Sequence, residues 1–245
     1  MHFWLTLAAV LALGGVSACE TASSHGIAAE IPREDRYAAK RDEMVTTQIE
    51  RRGINDARVL EAMRRVPRHE FVPDAMKPSA YADRPLPIGH NVTISQPYIV
   101  ALMTQLADVD AGDRVLDVGT GSGYQAAVLG ELGAEVYGIE IIEPLAERAA
   151  AVLADLGYEK VTVRAGDGYA GWPERAPFDA VILAAAPVHV PAPLKEQLKV
   201  GGRLVLPVGE QFDQTLLVIT RTRAGFEEQR VLPVAFVPMT GRAQD

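Results

Sequence analysis

Arg114-Val115-Leu116-Asp117-Val118-Gly119-Thr120-Gly121-Ser122-Gly123-Tyr124 is the stretch on which the fold of this chain turns. A short apolar strand over 114–118 runs without a spacer into alternating glycines, and a helix follows over 124–132. Glycine at 119, 121 and 123 permits a tight turn and close approach of a ligand to backbone N–H groups at the helix start. The spacing is neither G-x-G-x-x-G nor G-x-x-x-x-G-K-[ST], which argues against a dinucleotide fingerprint and a Walker phosphate loop at this strand.

Downstream the same alternation continues. Strands are expected over 135–141 and 161–165, with a helix over 143–156 between them. The near-continuous apolar run 178–186 reads as a strand buried on both faces. A short helix over 191–198 and a strand over 203–208 follow, then late antiparallel strands over 215–220 and 230–236, with Ala224-Gly225 marking the turn. Upstream, apolar stripes predict helices over 38–49 and 56–66, punctuated by Gly53 and ended by Pro67. Residues 68–73 read as an ordered connector and 89–97 as a loop entering a helix over 98–106. The expected class is α/β: a doubly wound, mostly parallel sheet with late antiparallel strands and N-terminal helices, in one domain over 37–241 with a tail at 242–245.

Three acids fall at successive strand ends beside the glycine loop. Asp117 adds negative potential there, which disfavours a pyrophosphate and suits a positively charged ligand such as S-adenosylmethionine. Glu140 is placed to accept hydrogen bonds from both hydroxyls of a ribose. Asp167, beside Gly168, is placed to receive a nucleobase amine. Each acid alone fits a cap, a solvated strand end or a turn; together, at the edge of the sheet where ligands bind, they point to a cofactor site. The candidate cofactor residues are Asp117, Gly119, Thr120, Gly121, Ser122, Gly123, Glu140, Asp167 and Gly168.

Composition narrows the partners. The formal charge of -8 argues against a nucleic-acid surface. A single cysteine, Cys19, excludes an internal disulfide framework and any zinc site built from several thiolates, and no metal-ligand spacing such as H-E-x-x-H occurs. Residues 1–18 contain no Asp, Glu, Lys or Arg and are mostly apolar, which predicts a signal segment; 19–36 read as a flexible tether. Val16-Ser17-Ala18-Cys19 resembles a bacterial lipoprotein signal, implying lipidation of Cys19, a membrane anchor and an envelope location, although no Lys or Arg precedes the apolar run.

From about Arg41 to Gly241 the chain resembles the protein-L-isoaspartate O-methyltransferase family. The resemblance rests on Arg52-Gly53-Ile54, Val66-Pro67-Arg68-His69-Glu70-Phe71-Val72, Thr93-Ile94-Ser95-Gln96-Pro97-Tyr98, the stretch 115–125, Gly166-Asp167-Gly168, Gly201-Gly202-Arg203 and Phe236-Val237-Pro238. It implies a Rossmann-like class I methyltransferase fold with S-adenosyl-L-methionine as donor. The implied acceptor is the α-carboxyl of L-isoaspartyl residues in damaged proteins and peptides. The methyl ester then closes to a succinimide that hydrolyses partly to aspartate. The resemblance makes Ser95 the active-site residue, with Thr93 and Gln96 shaping its loop and His90 and His189 as substrate contacts; the alternative for Ser95 is an N-terminal cap on the helix that follows. Asn91 and Val92 stand where the family often has glycine and glutamine. A small-molecule methyltransferase and a non-catalytic envelope binding protein stay open on sequence alone.

Overall fold

The computed structural model describes residues 35–244. The expected signal segment, the tether up to 34 and Cys19 lie outside the described residues.

The chain enters through α1 (Asp35–Glu43), which passes into a π-helical turn over Met44–Ile49 that buries Met44, Val45 and Ile49. In α2 (Ala57–Arg65) the Asp56 side chain caps the start by accepting from the N–H of Arg58 at 2.8 Å. Its stripe of Val59, Leu60 and Met63 is buried. Pro67 follows, and the connector tightens into a 3-10 turn over Arg68–Phe71.

One expectation is corrected here. The segment 89–97 is not a plain loop: β1 (Leu86–Gly89) and β2 (Val92–Ile94) form an antiparallel hairpin. Its two turn residues, His90 and Asn91, both have positive φ, 51° and 60°, the left-handed pair that matches the twist of a two-residue hairpin. Pro85 and Pro87 hide the strand pattern in the sequence, yet Leu86, Ile88 and Ile94 alternate inward and Pro87 stands exposed on an edge strand.

The rest is the doubly wound sheet. After α3 (Pro97–Ala107), with proline in its first turn, come β3 (Arg114–Val118), α4 (Tyr124–Glu131), β4 (Glu135–Glu140), α5 (Glu143–Asp155) and β5 (Val161–Ala165). Then follow β6 (Phe178–Leu183), α6 (Ala192–Glu196), β7 (Leu198–Glu210), β8 (Asp213–Thr222) and β9 (Gly225–Val234). The spatial order is β5-β4-β3-β6-β7-β8-β9, parallel through β7 and antiparallel for the last two strands. Along β3, Val115 packs into one core while Leu116 and Val118 pack into the other; β6 divides Ala180 and Ile182 from Phe178, Val181 and Leu183 in the same way. Burial on both faces accounts for the unbroken apolar runs.

β7 is longer than expected because a register shift between Phe178 and Ala180 of β6 absorbs its glycines, and β8 then pairs with it from Arg203 to Glu210. Since the chain builds β4 and β5 on one side of β3 and β6 and β7 on the other, a crevice opens beyond the carboxyl ends of β3 and β6. Among the described residues, no helix is long and apolar enough to cross a membrane.

The hairpin turn gives a direct test. A β-branched residue in the left-handed region costs roughly 1–2 kcal/mol, and each kcal/mol moves the melting temperature of a domain this size by about 2–4 °C. Asn91→Val is expected to lower Tm by a few degrees and Asn91→Gly to leave it unchanged. Equal melting of the two variants would refute the turn.

Candidate active site

The crevice is a cavity of about 430 Å³. Its walls come from the glycine loop, the exits of β4 and β6, the β1–β2 hairpin and the segment 237–240 near the C-terminus.

The glycine loop is held inward. Gly119 and Thr120 donate their N–H groups to the carbonyl of Ile139, at 2.8 and 3.2 Å. Gly121 donates to Glu140 Oε2 at 2.8 Å, Gly123 to the carbonyl of Thr120 at 2.9 Å, and Tyr124 to Ser122 Oγ at 3.4 Å. The expected row of N–H groups offered to a ligand is therefore largely spent on the neighbouring strand end, and the loop is a smooth wall rather than an anion cradle. The backbone favours glycine at 121, where φ is +56° in the left-handed region.

Glu140 is 6 % exposed and lines the cavity. Oε2 accepts from Gly121 and Oε1 from the N–H of Ile142 at 2.9 Å, so the carboxylate is rigid, and each oxygen keeps an acceptor position. That donor-seeking pair suits a vicinal diol. Gly168 lines the cavity too; a Cβ there would stand 2.3 Å from Val118 Cγ1, so no larger residue fits without moving β3.

The structure moves two of the expected cofactor acids off the wall. Asp167 is not among the cavity residues. Its Oδ1 accepts from the N–H of Tyr169 and its Oδ2 from that of Arg242, both at 2.9 Å. These bonds tie the C-terminal segment to the end of β5; the sequence offers no sign of so distant a partner. Asp117 is fully buried, also absent from the wall, and neither carboxylate oxygen has a hydrogen-bond partner among the described residues. Burial pushes its carboxyl up to about 7, and the nearby Glu140 carboxylate pushes the same way. Gly123 likewise stands behind the wall, against Leu153 and Ala149 of α5, whereas Thr120 and Ser122 line the cavity.

Ser95 is half-buried and lines this cavity and a second, more open groove of about 840 Å³. The groove is bordered by Arg52, Gln96, Tyr98, Phe212 and the segment 232–238. Thr93 faces both spaces. The capping alternative for Ser95 is not realised: Gln96 holds the cap position of α3, and no side chain makes the capping bond. Gln96 lines the groove, and its Nε2 donates to Asp83 Oδ1 at 2.7 Å. Asp83 also pairs with Arg52 at 3.3 Å, whose guanidinium lies 3.6 Å above the Tyr98 ring.

His90 reaches the cavity from the hairpin turn. His189 does not reach either space. It is exposed, because its loop turns outward after Ala186, which is pinned by bonds between its N–H and the carbonyl of Val237 and between its carbonyl and the N–H of Met239. His69 and Glu70, chemically suggestive in sequence, stand apart from the cavity. His69 is buried, stacked on Tyr37 at 4.1 Å, with Nδ1 2.7 Å from the Tyr81 hydroxyl.

Sequence reasoning missed several wall residues: Met103, Tyr124 and Gln125 from helices, Ile141 and Ile142 after β4, and 237–240. Phe236-Val237-Pro238 was visible as a motif, but only the folded chain places it over the β6 exit.

Residues 39–244 match the sequence profile of a family described as Protein-L-isoaspartate(D-aspartate) O-methyltransferase. A protein-L-isoaspartate O-methyltransferase of Gloeobacter violaceus is 57 % identical over 198 residues, covering 80 % of this chain and 97 % of its own. One from Synechococcus is 54 % identical over 212 residues, covering 84 % and 87 %. Among solved structures, a protein-L-isoaspartate O-methyltransferase superposes with a TM-score of 0.77 at 28 % identity, covering 83 % of this chain and 67 % of that one. A Plasmodium falciparum structure described in the same terms, in complex with S-adenosyl-L-homocysteine, gives 0.72 at 27 % identity, covering 82 % and 98 %.

The buried Asp117 makes stability depend on pH in a defined direction. Its folded-state value lies above the ordinary 3.8, so the folded chain holds a proton that the unfolded chain releases. The contribution of Asp117 to stability is fully retained below pH about 4, falls as pH rises toward 7, and is lowest above that. Asp117→Asn is expected to melt several degrees higher than the parent at pH 8 and to lose that advantage by pH 5. Parallel Tm profiles for the two proteins would rule out an ionised buried carboxyl.

Proposed function

The chain belongs to the protein-L-isoaspartate(D-aspartate) O-methyltransferase family, and on that premise we propose how its two joined spaces divide the reaction. It is an S-adenosylmethionine-dependent protein carboxyl O-methyltransferase acting on L-isoaspartyl residues. The enclosed cavity takes the donor, and the open groove takes the acceptor peptide. The observation that carries this division is Ser95, which faces both.

The residues of the cavity fit the donor. Glu140 offers its two remaining acceptor positions to the ribose hydroxyls, between the glycine loop and Ile142. Val118, Ile139 and Leu183 supply apolar wall, and the loop lets the ligand lie close to the backbone. When bound, S-adenosylmethionine supplies a methyl group already activated by its sulfonium. The acceptor carboxylate is ionised at neutral pH and already nucleophilic. The protein therefore has to align the two and exclude water; it has no need of a strong base. Ser95 donates its hydroxyl to one carboxylate oxygen and leaves the other in line for attack. His90, exposed at the hairpin turn, is left as a rim contact. The neutral ester leaves the protein and closes to a succinimide when a backbone nitrogen attacks the ester carbonyl, gives up its proton and expels methanol, a step that requires no further residue here.

We place the protein at the bacterial envelope, anchored by a lipid on Cys19. Support comes from the uncharged apolar run that ends in Val16-Ser17-Ala18-Cys19 and from the absence of any other cysteine.

Two measurements test these assignments. With labelled donor, a peptide carrying isoaspartate is expected to be methylated and its aspartate twin not; equal labelling would end the acceptor assignment. Ser95→Ala should cut kcat/KM about 10–100-fold while leaving donor affinity within about two-fold, and Glu140→Gln should weaken donor binding about 10-fold or more. Parallel loss of donor affinity and turnover in Ser95→Ala would contradict the division of labour. Separately, the mass of the mature N-terminus and membrane fractionation test the anchor: a lipidated Cys19 is expected, and an intact Met1 on a soluble protein would overturn it.

A further inference from the structure

Arg68 is the largest fully buried side chain among the described residues, and it lines neither space. A guanidinium taken out of water is costly unless it is paired, yet among the described residues no carboxylate bonds to Arg68. Its hydrogen bonds go to two backbone carbonyls. Nε donates to Ala80 at 2.8 Å and Nη2 to Ser95 at 2.7 Å, while Nη1 is buried with no partner. The guanidinium carbon lies 4.7 Å from the centre of the Tyr124 ring, and Tyr124 is a wall residue of the donor cavity.

The two carbonyls are placed in a telling way. Ala80 lies six residues before β1 and Ser95 directly after β2, so one planar fork ties the segment leading into the hairpin to the residue leaving it. A buried methionine or leucine would fill the same volume without the desolvation cost, so the charge is kept for what the fork holds. It holds the backbone of Ser95, which faces both spaces.

We propose that Arg68 is a positioning residue for methyl transfer: it fixes the height and direction of Ser95 by clasping the Ser95 carbonyl to that of Ala80. Burial lowers the guanidinium only to about 10, so it stays charged at neutral pH and its hydrogen bonds are charge-assisted. Displacement of a reacting group by about 1 Å costs on the order of 100-fold in rate, which sets the scale of the effect. The role rests on the assignment of Ser95 to the acceptor made above.

The test is a double-mutant cycle in the full chain, with Arg68→Lys and Arg68→Gln each made alone and in a Ser95→Ala background. Both are checked for folding by thermal melting and for donor affinity by calorimetry with S-adenosylmethionine. Lysine keeps the charge and reaches one carbonyl; glutamine loses the charge and the fork. The expected losses in kcat/KM for the isoaspartyl peptide are about 10-fold for lysine and about 100-fold for glutamine, carried mostly in kcat, with donor affinity within about two-fold. In the Ser95→Ala background each loss should shrink to about three-fold or less. A residue serving only the core would cost the same in both backgrounds. Ser95→Ala at the parent rate overturns the Ser95 assignment itself. A slow Ser95→Ala enzyme with Arg68→Lys and Arg68→Gln at full rate, or with equal losses in both backgrounds, overturns the role of Arg68 alone. Failure of both Arg68 variants to fold assigns the guanidinium to the core and also overturns it.

Discussion

The Glu140 carboxylate sits where strand, loop and helix meet, and much of the site depends on how it is held. One oxygen accepts from Gly121 in the loop after β3, the other from Ile142 at the start of α5. The loop is fastened a second time by Gly119 and Thr120, which donate to Ile139 one residue before Glu140. Two parallel strands are thereby joined at their carboxyl ends by side-chain and backbone bonds that continue the ladder of the sheet. A carboxylate that is 6 % exposed loses much hydration, and charge-assisted bonds from two backbone N–H groups offset that cost while fixing its orientation. The binding group is ordered before any ligand arrives, so little conformational freedom is lost on binding.

The acceptor side is built on the opposite plan. Its groove is open, and its edges come from segments distant in sequence: Arg52 behind the first helices, Phe212 at the tip between β7 and β8, and the chain after β9. A somewhat more sheltered donor cavity and a larger acceptor groove suit a small ligand of fixed structure paired with a peptide of varied sequence. Ser95 joins them, and the hairpin before it turns on His90 and Asn91, both in the left-handed region.

How much of this could be read from the sequence depended on how local the physics was. The doubly wound sheet was legible because both faces of β3 and β6 are buried, leaving unbroken apolar runs beside glycine turns. Glu140 was legible because its place is set by strand length alone. The β1–β2 hairpin was not, since prolines at 85 and 87 look like loop chemistry and only the register shows that Pro87 lies on an exposed edge. Asp117 and Asp167 were placed at the correct strand ends, but their protein surroundings were not legible. One faces the core and the other bonds Arg242, and no spacing rule carries either fact. The position of His189 was hidden for a related reason: a loop beyond a strand can send residues four apart to different surroundings, as it does Ala185 on the cavity wall and the exposed His189.

The last strand of the sheet ends at Val234, yet the cavity is completed by residues 237–240, which Asp167 secures through Arg242. A ribosome that has finished β9 has supplied every strand and α-helix of the described residues but not the final wall of the binding site. Structural maturity and chemical competence are thus separated by a handful of codons. A nascent or prematurely terminated chain can assemble its sheet while still lacking the enclosure needed to hold a methyl donor.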